Sequence, residues 1–174
     1  MCGITGFIST QLSNPKEVIH SMIGTLLHRG PDNTSIWNDL NGVNMAHSRL
    51  SILDLSESGN QPIISKSGRY VMVFNGEIYN YQELKKKIDS LTIIEWSGSS
   101  DSEILVELID HFGIKEALIK TKGMFAISVW DAKEKKLTLC RDRLGEKPLY
   151  YGWQNNSFVF GSELKSLQKF PGFK

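Results

Sequence analysis

The sequence predicts an α+β fold in which helices cover antiparallel sheets. Three observations carry that expectation. Stretches with helical periodicity stand apart from runs with strand character, rather than alternating strictly with them. The last third of the chain holds four short strand patterns, most of them joined by polar turns, which reads as an antiparallel meander. The chain has 174 residues, 40% apolar and 22% charged, with no linker, repeat or low-complexity stretch. That is one domain, 1–174, with enough length to bury a core.

The elements follow in order. Gly3 to Ser9 reads as a strand that starts almost at the N-terminus. Asn14-Pro15 is a helix start, with Asn as N-cap and Pro at the first helical position. Val18, Ile19, Met22, Ile23, Leu26 and Leu27 recur at helical spacing, so the helix should run until just before Gly30-Pro31. Val43 to Leu50 and Arg69 to Asn75 are strands, the second flanked by the turn signals Ser67-Gly68 and Asn75-Gly76. Asn80 to Ile88 is helical, and Lys85, Lys86 and Lys87 suit the negative end of its dipole. Ser100-Asp101-Ser102-Glu103 has capping-box form ahead of Ile104, Leu105, Leu108 and Ile109, and Gly113 closes that helix. Met124 to Trp130, Leu137 to Arg141, Leu149 to Trp153 and Phe158 to Gly161 are the strands of the meander.

Several function classes fall away. Lys plus Arg is 20 and Asp plus Glu is 19, a net charge of +1, which gives no grip on a phosphate backbone or an anionic membrane. The longest apolar run is Tyr70 to Phe74, far short of the roughly 20 residues of a membrane helix. The first residues lack the basic-then-apolar pattern of a signal peptide, so the expected location is the cytoplasm. Two cysteines make no disulfide framework. His20, His28, His47 and His111 have no partners at metal-ligand spacing, and no phosphate-binding glycine motif is present.

Cys2 is the residue with chemistry in it. Once the initiator Met is removed, one residue carries both a thiol and a free α-amine. The amine has a reference pKa of ~7.7–8.0, so it can act as base toward its own thiol, directly or through a water, with no histidine. The thiolate is the effective nucleophile. By itself a cysteine at position two is more often a small buried residue, so the rest of the sequence must decide. Cys140, mid-strand, reads as core.

Seven blocks decide it: Met1 to Phe7; His28-Arg29-Gly30-Pro31-Asp32; Arg49 to Asp54; Asn75-Gly76-Glu77-Ile78-Tyr79-Asn80-Tyr81; Ser99 to Glu103; Arg141 to Tyr151; and Phe160 to Lys165. In this order and spacing they closely resemble the N-terminal glutaminase domain of glutamine-hydrolysing asparagine synthetases. These are class II glutamine amidotransferases. The resemblance covers the whole chain. It implies the N-terminal-nucleophile (Ntn) hydrolase fold, a four-layer αββα sandwich of two antiparallel sheets between helices.

The resemblance also implies roles. Cys2 is the nucleophile. Arg49 pairs with the α-carboxylate of glutamine, as a guanidinium fork suits a carboxylate, and Leu50 and Ile52 of its block line the substrate. The Asn75 side-chain amide and the Gly76 N–H form the oxyanion hole that a tetrahedral intermediate needs, with Gly76 letting the backbone approach the substrate. Glu77 lies by the substrate amine, and Asp101 holds the α-ammonium while also suiting a helix N-terminus. No metal is expected. His28 to Asp32 and Arg141 to Tyr151 are signatures without an assigned chemical role, expected to build the rim of the site.

The implied activity is hydrolysis of glutamine to glutamate and ammonia through a Cys2 γ-glutamyl thioester. In the full protein the ammonia would go to a C-terminal synthetase domain that makes asparagine from aspartate. That domain would carry the ATP and Mg, and the 174 residues contain no counterpart of its SGGxDS-type loop. The expected partners are glutamine and that domain, with a homodimer left open and neither nucleic acid nor membrane involved. Two alternatives stand beside this reading. One keeps the glutaminase but changes the acceptor, as in polysaccharide or secondary metabolism. The other is a non-catalytic regulatory or docking module.

Overall fold

The computed structural model describes residues 1–174. Nine strands form two antiparallel sheets. β1 (Gly3–Ile8), β2 (Asn33–Asn38), β3 (Val43–Arg49), β8 (Tyr150–Gln154) and β9 (Ser157–Gly161) make the first, in the order β2-β3-β1-β9-β8. β4 (Ile63–Ile64), β5 (Tyr70–Ile78), β6 (Gly123–Asp131) and β7 (Lys136–Arg141) make the second, in that order.

Alternation along each strand separates three cores. Ile4, Val43, Met45 and Phe160 meet Val71, Val73, Ala126 and Trp130 between the sheets. Phe7, Ala46 and Val159 on the outer face of the first sheet pack on α1 (Pro15–Gly24) and α5 (Leu164–Leu167). Tyr70, Met72, Phe74, Ile127 and Val129 on the outer face of the second sheet pack on α2 (Tyr81–Asp89), α3 (Asp101–Phe112) and α4 (Ile114–Lys120). The architecture is the four-layer αββα sandwich.

The local signals held where they were self-contained. The Ser100 Oγ accepts the Glu103 N–H at 3.2 Å, and Gly113 ends α3 at φ +79°. The box is half-closed, because the Glu103 carboxylate turns outward to the N–H groups of Ser97 (2.7 Å) and Gly98 (3.0 Å). Asn14 stands at the N-cap position of α1 without capping through its side chain, and α1 stops at Gly24, with Leu26 packed from the turns that follow.

Two expectations are corrected. Asn75-Gly76 is not a turn beside a strand but lies inside β5, paired with Ala126 and Phe125 of β6. The last four strands are not one meander. β7 ends in the second sheet and β8 begins in the first, so Asp142 to Leu149 carry the chain across the sandwich. The strands β2 and β4 and the helices α4 and α5 are additional to those the sequence patterns predict.

Candidate active site

A cleft of about 190 Å³ opens at one end of the space between the sheets. It exists because β4 is short. β4 pairs with β5 only at Met72 and Val71, so beyond Met72 the outer edge of β5 has no strand beside it. Side chains take over part of that edge. The Phe74 N–H donates to Gln61 Oε1 at 2.6 Å, and the Ile78 N–H donates to Asp101 Oδ2 at 2.9 Å. Gly76 lies between them. Its register partner Phe125 directs both its N–H and its C=O to Asp142, away from β5. By the alternation of an antiparallel ladder, the Gly76 N–H therefore points out from the open edge of β5.

The nucleophile candidate comes from the other sheet. Cys2 immediately precedes β1, whose Gly3 pairs with Ser48, so Cys2 stands beside Arg49 at the end of β3. Its Sγ accepts from the Leu50 N–H at 3.4 Å. Burial pushes the thiol up, while the Leu50 N–H, the N-terminal cation and the Arg49 cation pull it back and Asp101 adds to the rise. The Cys2 carbonyl accepts from Arg29 Nε at 2.9 Å, and Arg29 in turn pairs with Glu163 at 2.9 Å. The His28 to Asp32 signature thus has a physical task at the rim. Arg29 fixes the Cys2 backbone, Gly30 accepts from Ser48 Oγ at 2.6 Å, and Asp32 accepts the Ser51 N–H at 2.7 Å.

Across the cleft, Asn75 is buried and its Nδ2 has no hydrogen-bond partner. An orphaned buried donor costs roughly 1–3 kcal/mol, so Asn75 Nδ2 stands at the cleft wall as a donor with unused capacity. Packing within the sheet also requires glycine at position 76. A Cβ there would come within 2.2 Å of the Met124 carbonyl and 2.7 Å of Phe125 Cα, so the close approach is to β6.

Arg49 is buried and lines the cleft, but it is not a free fork. Nη1 donates to the Ser56 carbonyl at 2.7 Å and to Asn60 Oδ1 at 2.9 Å, and Nη2 donates to the Asp54 carbonyl. Three of its five N–H groups hold the 54–60 loop, and two remain for a ligand. Gly59 lies against the guanidinium, where a Cβ would be 2.1 Å from Nη2. Asp54 extends the same latch, accepting the Ser56 N–H at 2.8 Å and the Ser99 N–H at 2.9 Å. The hydroxyl of Ser56 and the backbone of Ser99 hold the Asp54 carboxyl down to about 2. Arg49, the loop and the start of α3 therefore form one connected wall.

Asp101 opens α3 and is buried at the cleft. Desolvation raises its carboxyl to about 6 despite the Ile78 N–H it accepts, and the neighbouring Glu77 adds to the rise. Glu77, Leu50 and the mostly exposed Ile52 also line the cleft. All eight sequence-expected site residues are thus brought to one place.

The cleft has lining residues that the sequence reading did not single out: His47, Asp54, Gln61, Ser102, Met124 and Lys147 among them. His47 was within reach, since it lies two positions before Arg49 on β3 and so on the same face. Lys147 arrives through the Arg141 to Tyr151 signature. There the Asp142 carboxylate gathers the N–H groups of Leu144 (3.1 Å), Glu146 (2.9 Å) and Lys147 (3.1 Å). No group of three His, Cys, Asp or Glu side chains is placed to hold a metal. No helix is long and apolar enough to cross a membrane.

Known proteins resemble this chain over its whole length. Residues 1–174 match the family model described as the glutamine amidotransferase domain. An asparagine synthetase [glutamine-hydrolyzing] of Bacillus subtilis is 36% identical over 178 residues, covering 100% of this chain and 28% of that protein. A putative asparagine synthetase [glutamine-hydrolyzing] of Methanocaldococcus jannaschii is 39% identical, covering 96% of this chain and 35% of that protein. The amidase chry2 of Gibberella zeae is 36% identical, covering 98% and 27%. The chain thus spans about a quarter to a third of the length of these curated relatives. The fold is shared with the glutamine phosphoribosylpyrophosphate amidotransferase of Bacillus subtilis, at TM-score 0.79 and 20% identity over 96% of this chain and 43% of that one.

Proposed function

The chain belongs to the glutamine amidotransferase domain family, and from that membership we propose that its cleft hydrolyses glutamine through a thioester on Cys2. The observation that carries the proposal is a juxtaposition. A cysteine at the mouth of the inter-sheet space shares a cleft with an unpartnered amide donor, Asn75 Nδ2, and with the open backbone edge at Gly76.

Removal of Met1 leaves Cys2 with a free α-amine. The amine takes the thiol proton as Sγ attacks the carbonyl carbon of glutamine's side-chain carboxamide. The negative charge that develops on the amide oxygen falls to Asn75 and Gly76, donors fixed before the reaction begins. The C–N bond then breaks, the leaving nitrogen takes the proton from the amine, and ammonia departs. Water, deprotonated by the same amine, attacks the thioester and releases glutamate and the thiol. The two remaining N–H groups of Arg49 take the substrate α-carboxylate, and ionised Asp101 takes its α-ammonium, with Glu77 beside it.

Residues 1–174 form a single amidotransferase domain in this reading. The ammonia serves an ATP- and Mg-dependent synthetase domain elsewhere in the protein, with aspartate as acceptor. A second acceptor class stands beside aspartate, because the Gibberella zeae amidase is as similar in this region as the synthetases are.

The test is glutamate release from glutamine by chain shown by intact mass to lack Met1. Turnover that disappears in Cys2→Ala supports the reading, and no turnover by the intact-cysteine chain refutes it. Chain that keeps Met1 has a planar amide nitrogen in place of the amine and should be inactive.

A further inference from the structure

His47 is the one cleft side chain whose two polar atoms are both buried and both without a hydrogen-bond partner. It is 1% exposed and sits in the floor of the cleft, opposite Ile4 in register and two residues inward from Arg49. Asn75, whose Nδ2 is also unpartnered, lines the same cleft from the facing sheet.

The state of the ring follows from its surroundings. Burial drives His47 down to about 3, and the nearby Arg49 cation adds to this, so the imidazole is neutral at any working pH. A neutral imidazole has one N–H and one bare lone pair. The Phe74 carbonyl lies near the ring, outside hydrogen-bond geometry but close enough to favour a proton on the nearer nitrogen. Phe74 lies on the stretch of β5 that β4 leaves open, where its N–H is already taken by Gln61. The nitrogen facing Phe74 therefore carries the hydrogen, and the other nitrogen presents a lone pair.

The floor of the cleft thus offers one acceptor, at His47, beside the donors of Asn75 and Gly76. A primary carboxamide is the complement of that set, with an oxygen to accept and an NH₂ to donate. A carboxylate or an ester has the oxygen but no N–H. Resting on the glutaminase reading above, we propose that His47 is a specificity-determining residue that accepts a hydrogen bond from the substrate's carboxamide NH₂. It thereby selects glutamine over glutamate and orients the nitrogen that will leave. Confronted with an ester or a carboxylate, the His47 lone pair would be buried against another lone pair, which is how polar sites reject analogues strongly.

The experiment uses Met1-free chain and two substrates, glutamine and the γ-methyl ester of glutamate, which keeps the acyl group and loses the N–H. In His47→Leu the ratio of kcat/KM for glutamine to that for the ester should fall by roughly 10–10²-fold. His47→Gln, whose side-chain oxygen restores an acceptor, should recover most of that ratio. A residue that only props the Phe74 carbonyl would lower both substrates by the same factor, and that outcome overturns the proposal. A binding measurement covers the case in which Leu is not tolerated. Cys2→Ala with His47 intact should bind glutamine at least about tenfold tighter than glutamate, and equal affinity overturns the proposal. Failure of the glutaminase reading itself is distinct, since wild-type chain would then release glutamate from neither substrate.

Discussion

The two cysteines are both half-buried and both have thiols raised by burial, yet they sit in opposite kinds of place. Cys140 lies in β7, the edge strand of the second sheet, and lines a groove of about 730 Å³ beside α4. Desolvation alone shapes its thiol. Cys2 lines a cleft about a quarter of that volume, but there the Leu50 N–H, the N-terminal cation and Arg49 all favour the thiolate. The difference teaches that room and a thiol do not make a reactive centre. What distinguishes Cys2 is the set of groups that stabilise a charge beside it, and in the proposal one of them, Arg49, also meets the substrate.

The largest effect should come from removing each thiol in turn. Cys2→Ala should lower glutamine hydrolysis by about 10⁴-fold or more, whereas Cys140→Ala should leave it within twofold or so of wild type, since no charge-stabilising group faces that thiol. A comparable loss from Cys140→Ala in well-folded protein would break the contrast.

Next in size is Asn75. Asn75→Ala removes one of two donors to the developing oxyanion and should cut kcat by about 10²–10³-fold, with little change in KM. Asn75→Asp places a negative charge at that point and should be at least as damaging. Steady-state kinetics with thermal melts decide this, and a near-wild-type kcat for Asn75→Asp would end the assignment.

The groups that clamp the substrate come third. Arg49→Ala should raise KM by roughly 10–10²-fold, the worth of a charge-assisted contact of about 1.5–3 kcal/mol. It should also lower Tm, because the 54–60 loop loses three hydrogen bonds to the same guanidinium. Asp101 adds a pH signature. Its carboxyl is displaced from 3.8 to about 6, so kcat/KM should fall about tenfold per unit as pH drops below 6. Stability runs the other way. The folded state holds this proton more tightly than the unfolded chain, so Asp101 costs stability as pH rises from 4 to 6, by roughly 3 kcal/mol in full. Asp101→Asn should therefore raise Tm at pH 8 and leave it unchanged at pH 4, while losing the acid limb in KM.

The smallest effect sharpens the contrast most finely. Asp101 is one of the groups that hold the Cys2 thiol up. Asp101→Asn should speed alkylation of Cys2 by iodoacetamide severalfold at pH 8 and leave Cys140 at its original rate, as mass spectrometry of the two peptides would show. Equal acceleration at both would place the cause in general loosening.

What the sequence made legible depended on the range of the cause. Ser100 to Glu103 could be read because a cap is satisfied within its own turn. Cys2 and Arg49 could be read through the order of the blocks around them, and β3 sets them side by side. Asn75-Gly76 misled as a turn, since the dipeptide signal is local whereas the demand for glycine comes from the Met124 carbonyl on another strand. The meander failed for the same reason, because which sheet β8 joins depends on packing far along the chain. His47 had only its spacing from Arg49 on β3 to mark it. Its significance arises from β4 beginning only at Ile63, opposite Met72, which leaves the edge of β5 open over the cleft.

The most direct test is to trap the acyl-enzyme. Met1-free chain is mixed with glutamine, quenched in acid within a turnover, and mapped by peptide mass spectrometry. The account predicts a γ-glutamyl adduct on Cys2, none on Cys140, and none on chain that retains Met1. Glutamate release without any Cys2 adduct, or an adduct formed equally on Met1-retained chain, would contradict it.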